Sequence, residues 1–496
     1  MTPTLVFQDQ TLAQAVVQAR VDRAVTALRT LGLREGEVLA LMLHNGPELL
    51  EAMLAARRLG AYWCPINWHY KADEVGHILR DSGARVLLVE PALWRAIAAG
   101  VPEGVAVVPV GEPAADMPAG PDWATLRDAA ALDAAPPAAP RSAMLYTSGT
   151  TGRPKGIRRQ AATPEQAARG LERLGLVIGC RPGMRALVSA PLYHSAPNSF
   201  AMATAQFSGL LVIEQRFDPE ATLRLIEAHA ITHAYLVPTM YVRLLRLPDE
   251  VKQRYDLGSL QFVSSTGSPC PPAVKRAMIE WWGPVIHEAY GSSELGYMTL
   301  LNSEQALRKP GSAGLPLPGV HLRILDEAGQ EQPRGQAGLI YVRPEHLADF
   351  TYNHGDGARQ AMERDGFLTM GDVGVIDDEG FLFIVDRAAD MVISGGVNIY
   401  PAEVEAVLHG MPGVADCAVF GIPDAEFGEA LAAAVQPAPG HTLDEALVRA
   451  WLRERIAGYK VPSVVAFHAE MPREDTGKIF KRRLREPYWA GVDRRI

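Results

Sequence analysis

The sequence predicts an α/β protein: a large N-terminal body of βαβ units, then a β-rich region and a small α+β C-terminal domain. Three observations support this class. Apolar runs of strand length alternate with segments of helical periodicity through the N-terminal half. Short strands replace that pattern from about Gly319, and a compact mixture of helices and strands follows Asp386. At 496 residues the chain is also longer than one hydrophobic core normally organises, so we expect domains at 1–386 and 387–496.

The N-terminal alternation begins with a helix. Residues 12–32 carry apolar side chains at helical spacing, and the pattern stops at Gly32. The elements predicted next are strand 38–43, helix 48–59, strand 62–66, helix 71–82 and strand 85–89. Strands that alternate with helices in this way indicate a parallel sheet with crossover helices.

The same alternation resumes after residues 130–140, a connector rich in Ala and Pro. Its predicted elements are strand 185–190, helix 219–229, strand 233–237 and helix 272–282. Strands 321–325 and 338–342 and a hairpin over 373–385 then predict an antiparallel region. The elements predicted for the C-terminal tail are helices 401–409 and 443–457 and strands 414–420 and 430–436.

The composition is that of an ordinary globular protein, with 48% hydrophobic and 21% charged residues. A formal net charge of −9 disfavours nonspecific nucleic-acid binding. The four cysteines have neither zinc-site nor disulfide-framework spacing, which predicts small buried side chains in a reducing compartment; they are Cys64, Cys180, Cys270 and Cys417. The N-terminus lacks a signal-peptide pattern, and no run of about 18 apolar residues occurs. We therefore expect a cytoplasmic protein without integral membrane association.

The segment from Tyr146 to Gly156 has the composition of a phosphate-binding loop. It holds three glycines, four Ser or Thr hydroxyls and Lys155. Glycine lets the backbone turn sharply and approach a ligand, and the exposed N–H and hydroxyl groups form an anion-binding concavity. The Walker loop requires Ser or Thr directly after its lysine, and here Gly156 follows Lys155, so this is not a Walker loop. A nucleotide triphosphate is the expected ligand, and a flexible surface turn is the alternative.

Further motifs follow this loop in a fixed order. They are Pro191-Leu192-Tyr193-His194, Tyr290-Gly291-Ser292-Ser293-Glu294, Gly371-Asp372, the run from Asp386 to Gly396, and Gly477-Lys478. Together with the loop, they resemble the adenylate-forming superfamily of acyl-CoA synthetases, peptide-synthetase adenylation domains and luciferases. The resemblance covers about Leu5 to Arg485. It implies that a carboxylate attacks the α-phosphate of ATP to give an acyl-adenylate and pyrophosphate, and that a thiol, usually that of coenzyme A, then displaces AMP.

The resemblance also implies where the nucleotide binds. The residues expected around its phosphates are Thr147, Ser148, Gly149, Thr150, Thr151 and Lys155. Adenine is expected between two segments of the chain, Tyr290-Gly291-Ser292 and the turn Gly267-Ser268-Pro269. Asp372 would accept hydrogen bonds from both ribose hydroxyls, because a carboxylate has acceptor capacity for two donors. Arg387 would contact the ribose or a phosphate.

Four residues are expected to take part in the chemistry. The Ser293 hydroxyl would contact the α-phosphate, and Glu294 would be the metal ligand, a hard oxygen ligand for Mg²⁺. Lys478 would neutralise charge between the attacking carboxylate and the α-phosphate. His194 would line the mouth of the acyl pocket or act in catalysis, and the alternative is a structural histidine.

The thioester step is implied to use a mobile C-terminal domain. Gly395 and Gly396, next to Ser394, would leave a narrow passage for the pantetheine arm of coenzyme A. The position where the family's hinge usually carries Asp or Lys is Ala389 here, with Asp390 next to it. Either residue is a candidate pivot, since a hinge must absorb backbone rotation and need not be charged.

The expected acyl pocket is mostly apolar and lacks the aspartate that amino-acid adenylation domains use for the α-amino group. Its expected lining is His194, Ser199, Phe200, Met202, Val237, Pro238, Met240, Ser265, Thr266 and Gly291. A medium- or long-chain fatty acid is the first expectation, and an aryl or steroid-side-chain acid is the next.

Other functions stay open from the sequence. They are an enzyme that loads a carrier protein in trans, a ligase that stops at the adenylate, a luciferase-like oxidase and a non-catalytic nucleotide sensor. Glu294 and Lys478 argue against the sensor, and the short run between Tyr290 and Asp386 leaves little room for the insertion usual in adenylate-only ligases. The resemblance also allows a homodimer.

Overall fold

The computed structural model describes residues 2–147, 154–345, 347–353, 355, 357–387, 390–394, 397–424, 427–473 and 479–490, apart from the side chains of residues 147 and 398. The chain divides into two compact units. The first comprises Met1–Pro310, Leu317–His321 and Pro344–Asp365, and the second comprises Gly311–Pro316, Leu322–Arg343 and Gly366–Ile496.

A small parallel sheet opens the first unit. Its strands follow the order Tyr62–Pro65, Val38–Met42, Ala84–Val89 and Ala106–Pro109. The helices of this part of the chain are Gln14–Thr30, Pro47–Leu59, Ala72–Ser82, Pro91–Ile97 and Trp123–Ala129, with a 3₁₀ turn at Ala98–Gly100. The side chains between the layers are apolar and fully buried, as Ala40, Cys64 and Leu87 illustrate. The predicted βαβ alternation is thus confirmed.

A larger sheet carries the second run of alternation. Within this unit its strands follow the order Gly296–Leu301, Ile286–Ser292, Phe262–Ser265, His233–Leu236, Met184–Val188, Ser208–Ile213, Thr4–Phe7 and Gln10–Leu12. Neighbours are parallel from Ile286–Ser292 to Thr4–Phe7, and the two outer pairs are antiparallel. The accompanying helices are Pro164–Ile178, Ser195–Phe207, Pro219–Ala228, Pro238–Leu245, Asp249–Lys252, Pro272–Trp282 and Ser303–Arg308.

A third, antiparallel sheet joins distant parts of the first unit. Lys155–Arg159 pairs with Leu145–Thr147 on one side and with Phe350–Tyr352 on the other. The helix Gly357–Gln360 and the short strand Glu363–Arg364 follow in sequence. This pairing places Tyr352 beside the strand that leaves the glycine-rich loop.

The second unit contains two sheets. The first orders Val320–Leu325, Gly338–Pro344, Phe367–Ile376 and Leu382–Arg387, the last two forming the predicted hairpin. The other orders Val397–Ile399, Val392–Ser394, Gly428–Pro437 and Val414–Asp424, and Val464–Phe467 runs parallel to Gly428–Pro437. The remaining elements are the short strand Leu315–Pro316, the helices Pro401–His409, Glu445–Arg453 and Lys481–Trp489, and the 3₁₀ turn Gly458–Lys460.

Where element boundaries differ from the predictions, local hydrogen bonding explains it. The first helix begins at Gln14 because Gln10–Leu12 is a strand paired with Thr4–Phe7. The helix predicted for 443–457 is Glu445–Arg453, since the Asp444 carboxylate accepts the N–H of Leu447 and caps it. The β-rich region groups with the C-terminal tail in the second unit, and the division at 386/387 remains a prediction.

The cysteines behave largely as predicted. All four carry free thiols: Cys64, Cys270 and Cys417 are buried, and Cys180 is half-buried. Within the part of the chain that the structure describes, no helix is both long and apolar enough to cross a bilayer.

Candidate active site

The carboxyl edge of the larger sheet gathers two of the predicted nucleotide segments. The strand Phe262–Ser265 lies parallel to Ile286–Ser292, with Ser265 opposite Glu288. The turn after Ser265 and the residues after Ser292 therefore leave the same edge side by side. Ligands of open α/β sheets bind in the crevice at this edge. The turn at Gly267 follows one of these neighbouring strands and the segment of Tyr290 belongs to the other, and their roles toward adenine remain predictions.

Gly291 meets a steric requirement of this edge. A Cβ atom there would lie 2.4 Å from the carbonyl oxygen of Gly296 and 3.0 Å from the Cα of Tyr297. The pairing register of the hairpin shifts between Tyr290 and Gly291. Gly291 therefore lets the strand Gly296–Leu301 fold back closely and leaves Ser293 and Glu294 at the turn.

Glu294, the predicted metal ligand, is a buried carboxylate with 4% of its surface exposed. The phenol of Tyr352 donates a hydrogen bond to Glu294 Oε1 at 3.1 Å. Burial, reinforced by the charge of Glu294, raises the pKa of Tyr352, so the phenol stays a donor. The preceding Ser292 hydroxyl accepts the N–H of Leu295 at 3.0 Å, which stabilises the turn.

Arg159 is a site residue that the sequence analysis missed. Its guanidinium donates to the carbonyl oxygen of Ser293 at 2.8 Å, to that of Glu294, and to that of Ala348 at 3.1 Å. Desolvation lowers the pKa of Arg159 to about 10, and the neighbouring Glu294 charge counteracts this shift. The group therefore remains a cation at neutral pH.

The end of the glycine-rich loop lies near the same carboxylate. The Lys155 ammonium lies 5.6 Å from the centre of the Tyr352 ring, the distance range of a cation–π contact. Since the Tyr352 phenol also reaches Glu294, Lys155 and Glu294 share a neighbour, consistent with their predicted roles around one triphosphate.

The base of the loop is fastened by a hydrogen-bond network. The Tyr146 phenol donates to Asp81 at 2.6 Å, and the Asn353 amide donates to the same carboxylate oxygen at 3.0 Å. A Cβ atom on Gly156 would lie 2.5 Å from the Asn353 amide and 2.7 Å from the Tyr146 ring. Gly156 is therefore needed for this close packing.

His194 lies at the N-terminus of the helix Ser195–Phe207 and is half-buried. Its ring centre is 4.3 Å from that of Tyr193. The segment before it is held by Asn45, whose amide accepts the N–H of Leu192 and donates to the carbonyl of Ala190, both at 2.9 Å. This anchoring gives His194 a defined place at the carboxyl edge.

The other predicted pocket residues lie at the carboxyl ends of the parallel strands or in the helices that follow them. Most are buried, namely Phe200, Met202, Val237, Pro238, Met240, Ser265 and Thr266. Ser199 and Gly291 are half-buried. The acyl-pocket role of these residues remains a prediction.

Asp372 and Arg387 lie together in the second unit. They face each other across the hairpin, and Arg387 Nε lies 3.4 Å from Asp372 Oδ1. Asp372 is 8% exposed, whereas the Arg387 side chain is 60% exposed. The pairing of these two predicted residues is consistent with a shared ligand, and their roles toward ribose or phosphate remain predictions.

Several predicted residues lie outside the described residues. They are Ser148, Gly149, Thr150, Thr151, Ala389, Gly395, Gly396 and Lys478, together with the side chain of Thr147. The ends of the Lys478 segment are described, and they approach each other: Arg473 bridges Ile479, and Phe480 N–H donates to the Pro472 carbonyl at 2.7 Å.

Among the described residues, Glu294 is the predicted carboxylate ligand for Mg²⁺, and it does not belong to a cluster of ligands. Across the described ranges, no three His, Cys, Asp or Glu side chains gather closely enough to hold a metal ion. Mg²⁺ is commonly bound by one or two carboxylates, water and substrate phosphates. Glu294 therefore fits a magnesium ion that arrives with a nucleotide.

Comparison with known proteins shows the family of the chain. The model of the family described as AMP-binding enzyme matches residues 2–349. The chain belongs to the AMP-binding enzymes. The model of the AMP-binding enzyme C-terminal domain matches residues 403–478. The expected membership of the adenylate-forming superfamily is confirmed, and this AMP-binding enzyme is a ligase of the acyl-CoA synthetase branch.

Individual relatives extend over almost the whole of this AMP-binding enzyme. A feruloyl-CoA synthase from Amycolatopsis sp is 34% identical over 96% of this chain and 94% of its own. The long-chain-fatty-acid–CoA ligase FadD13 from Mycobacterium tuberculosis is 32% identical over 98% and 94%. The crystal structure of ATP-bound MatB from Rhodopseudomonas palustris superposes with a TM-score of 0.86, at 31% identity over 98% and 96%.

Proposed function

We propose that this AMP-binding enzyme activates an apolar carboxylic acid with ATP and transfers the acyl group to coenzyme A. One observation carries the proposal most directly. The Tyr290–Glu294 segment leaves the carboxyl edge of the larger sheet beside the turn at Gly267, and the Tyr352 phenol there holds the buried Glu294 carboxylate. Relatives named for acyl-CoA synthesis that match nearly the whole chain support the proposal.

In the first step, a carboxylate oxygen of the acid bonds to the α-phosphorus of ATP and pyrophosphate leaves. The Ser293 hydroxyl would donate to the α-phosphate, and the Lys155 ammonium would offset charge on the departing phosphates. A magnesium ion held by Glu294 and the phosphates would supply further neutralisation of that charge. Lys478 would lie against the attacking carboxylate, which approaches a phosphate of like charge.

In the second step, the thiolate of coenzyme A attacks the acyl carbon and AMP departs with its phosphate oxygen. Asp372 would hold the ribose of the nucleotide through both steps. The glycines at 395 and 396 would leave space for the pantetheine arm. His194 would orient the acyl end at the pocket mouth.

The substrate class follows from the pocket lining. Phe200, Val237 and Met240 are buried apolar residues of the predicted acyl pocket, and their composition supports an acid with an apolar tail. The relatives are named as a feruloyl-CoA synthase and a long-chain-fatty-acid–CoA ligase, so aryl and fatty acids both remain within the proposed class. The test therefore compares two groups of acids. One group holds medium- and long-chain fatty acids, and the other holds aryl and steroid-side-chain acids.

The test incubates the protein with ATP, Mg²⁺, coenzyme A and a panel of acids. The panel combines a chain-length series of saturated fatty acids with cinnamic, ferulic, indoleacetic and steroid-side-chain acids and with amino acids. Pyrophosphate, AMP and thioester are measured separately. We expect all three in equal amounts with one group of apolar acids, and none with amino acids.

Each failure in this assay has a distinct meaning. Pyrophosphate without thioester would refute coenzyme A as the acceptor and favour a carrier protein or an adenylate-only ligase. An absence of nucleotide turnover with every acid would refute the proposal as a whole.

A further inference from the structure

Arg159 places a cation beside the carbonyls of Ser293 and Glu294, which lie between two strands. The strand Ile286–Ser292 ends just before Ser293, so the carbonyls of Ser293 and Glu294 lie in a turn rather than in the sheet ladder. Arg159 donates to both of them. Both bonds come from one terminal nitrogen, Nη2, while Nη1 donates to the carbonyl of Ala348. Because the guanidinium is planar and its N–H directions are fixed, the two consecutive carbonyls are fixed in direction as well as in distance.

The partners of Arg159 belong to the third sheet. In the pairing of Lys155–Arg159 with Phe350–Tyr352, Arg159 lies opposite Phe350 and Ile157 lies opposite Tyr352. The Arg159 guanidinium lies 5.8 Å from the centre of the Phe350 ring and also donates to the carbonyl of Ala348. Its position is therefore set by the same strand pairing that sets Tyr352.

Tyr352 holds the other part of Glu294. Its phenol donates to Glu294 Oε1 at 3.1 Å, whereas Arg159 holds the Glu294 main chain. Tyr352 is 8% exposed, and a buried phenol has few alternative positions. Residues of the third sheet therefore hold both parts of Glu294: Arg159 holds its main chain and Tyr352 holds its carboxylate. The central strand of that sheet begins at Lys155.

We propose that Arg159 and Tyr352 are positioning residues for adenylate formation, which set the Glu294 carboxylate and the Ser293 hydroxyl relative to the glycine-rich loop. The inference rests on the proposed function, in which Glu294 meets Mg²⁺ and the loop meets the triphosphate. Neither residue contacts the reacting atoms, so each acts through Glu294. Residues that orient a metal ligand typically change metal affinity or activity by about 10–100-fold when they are replaced.

The test compares Tyr352→Phe and Arg159→Lys with wild type. Tyr352→Phe removes one hydroxyl and keeps the ring, while Arg159→Lys keeps the charge and loses the planar guanidinium. Pyrophosphate formation is measured across a Mg²⁺ titration. Tyr352→Phe should raise the Mg²⁺ concentration for half-maximal rate by about 10-fold, and Arg159→Lys should lower the maximal rate by a similar factor.

Two further readouts separate positioning from general damage. Thermal stabilisation by ATP with Mg²⁺, relative to ATP alone, should shrink in Tyr352→Phe, and this readout does not depend on turnover. The reaction of a synthetic acyl-adenylate with coenzyme A should keep its wild-type rate in both variants, because that step no longer needs the metal at Glu294.

Matched controls come from elsewhere in the first unit. The Tyr255 phenol donates to the Glu220 carboxylate at 3.0 Å, so Tyr255→Phe removes the same type of hydrogen bond. Arg127 is a buried arginine paired with Glu51, so Arg127→Lys measures the effect of replacing a buried guanidinium by an ammonium. Neither control should change the Mg²⁺ requirement.

The outcomes are distinguishable. If wild type forms no adenylate with any acid, the proposed function fails. If wild type is active and Tyr352→Phe has the same Mg²⁺ requirement as Tyr255→Phe, the inference is wrong. Should Arg159→Lys fail to fold, the Tyr352→Phe titration alone decides.

Discussion

At the scale of single residues, the hairpin pair in the second unit combines a shielded carboxylate with an exposed guanidinium. Asp372 is nearly buried, and Arg387 reaches solvent beside it. A shielded carboxylate keeps its acceptor strength for neutral hydroxyl donors, because less water competes for it. The pair therefore suits the ribose role that we propose for Asp372.

Asp372→Asn tests that role. The amide keeps the size of the side chain but loses the charge and part of its acceptor capacity. We expect the KM for ATP to rise by about 10-fold, the size of one lost hydrogen bond to a charged group. The change in kcat should be smaller, because this hydrogen bond is present equally in the ground state and the transition state. Steady-state pyrophosphate release checks this.

The control for Asp372→Asn is Asp444→Asn, since Asp444 caps the helix Glu445–Arg453 in the same unit and Asn is an equally good cap. An unchanged KM in Asp372→Asn would rule out a ribose contact.

Lys478→Ala separates the two half-reactions. Loss of an electrostatic group that acts on developing charge typically costs about 10²–10³ in rate, and we expect that loss in adenylate formation. A preformed acyl-adenylate should still react with coenzyme A at close to the wild-type rate. Rapid-mix measurement of each half-reaction checks this.

Lys252→Ala, which removes a lysine paired with Asp249 at 2.7 Å, is the matched control for Lys478→Ala. An equal loss of both half-reactions in Lys478→Ala would contradict the assigned role.

Single residues also mark how far sequence reasoning reaches. The roles proposed for Glu294 and Lys155 come from the family resemblance, because each lies in a motif of glycines and hydroxyls that carries it. Arg159 and Tyr352 are not predictable in this way, since their importance arises only when strands distant in sequence pair and bring both to the Glu294 turn. The two arginines after Lys155, at 158 and 159, are the only local signal in this stretch, and an exposed basic strand would have the same sequence pattern.

At the scale of elements, periodicity predicts the helices and strands well, and tertiary pairing corrects their ends. The helix Pro272–Trp282 is found as predicted, because Pro at its start and Gly283 at its end are local signals. The strand predicted for 414–420 extends to Asp424, since its partner Gly428–Pro437 continues the ladder. A partner strand cannot be read from local sequence.

The strand His233–Leu236 gives the larger sheet a pH dependence. His233 is 1% exposed, and its Nε2 lies 2.9 Å from the Gly179 carbonyl oxygen. Burial, with a contribution from the charge of Arg181, lowers the pKa of His233 to about 4. The folded protein therefore holds His233 neutral, while the unfolded chain protonates it near its ordinary pKa of 6.5.

Stability should consequently fall as the pH drops from about 6.5 to about 4, by about 3 kcal/mol from this residue over the whole window. Replacing the ring in His233→Gln removes the titration, so the stability difference between wild type and variant should narrow by about 2 kcal/mol from pH 7 to pH 5. Urea unfolding at both pH values measures it. The exposed His69 gives the control His69→Gln, and a difference that stays constant with pH would contradict the prediction.

At the scale of the whole molecule, the proposed reaction draws on both units. The first holds Lys155, Ser293 and Glu294, and the second holds Asp372 and Lys478. The change of sequence pattern along the chain predicts two parts, and their boundary at 386/387 remains a prediction. The grouping of the β-rich region with the C-terminal tail was not predictable, because it depends on packing between segments that the local pattern leaves independent.

The central claim is that the acid becomes covalently attached to the α-phosphate of ATP before it reaches the thiol. The most direct test supplies a turned-over acid labelled with ¹⁸O in both carboxylate oxygens, together with ATP, Mg²⁺ and coenzyme A. Mass spectrometry of the products should find a single ¹⁸O in each AMP and the other in the thioester. Thioester formed alongside unlabelled AMP, or ¹⁸O found in orthophosphate, would contradict the account.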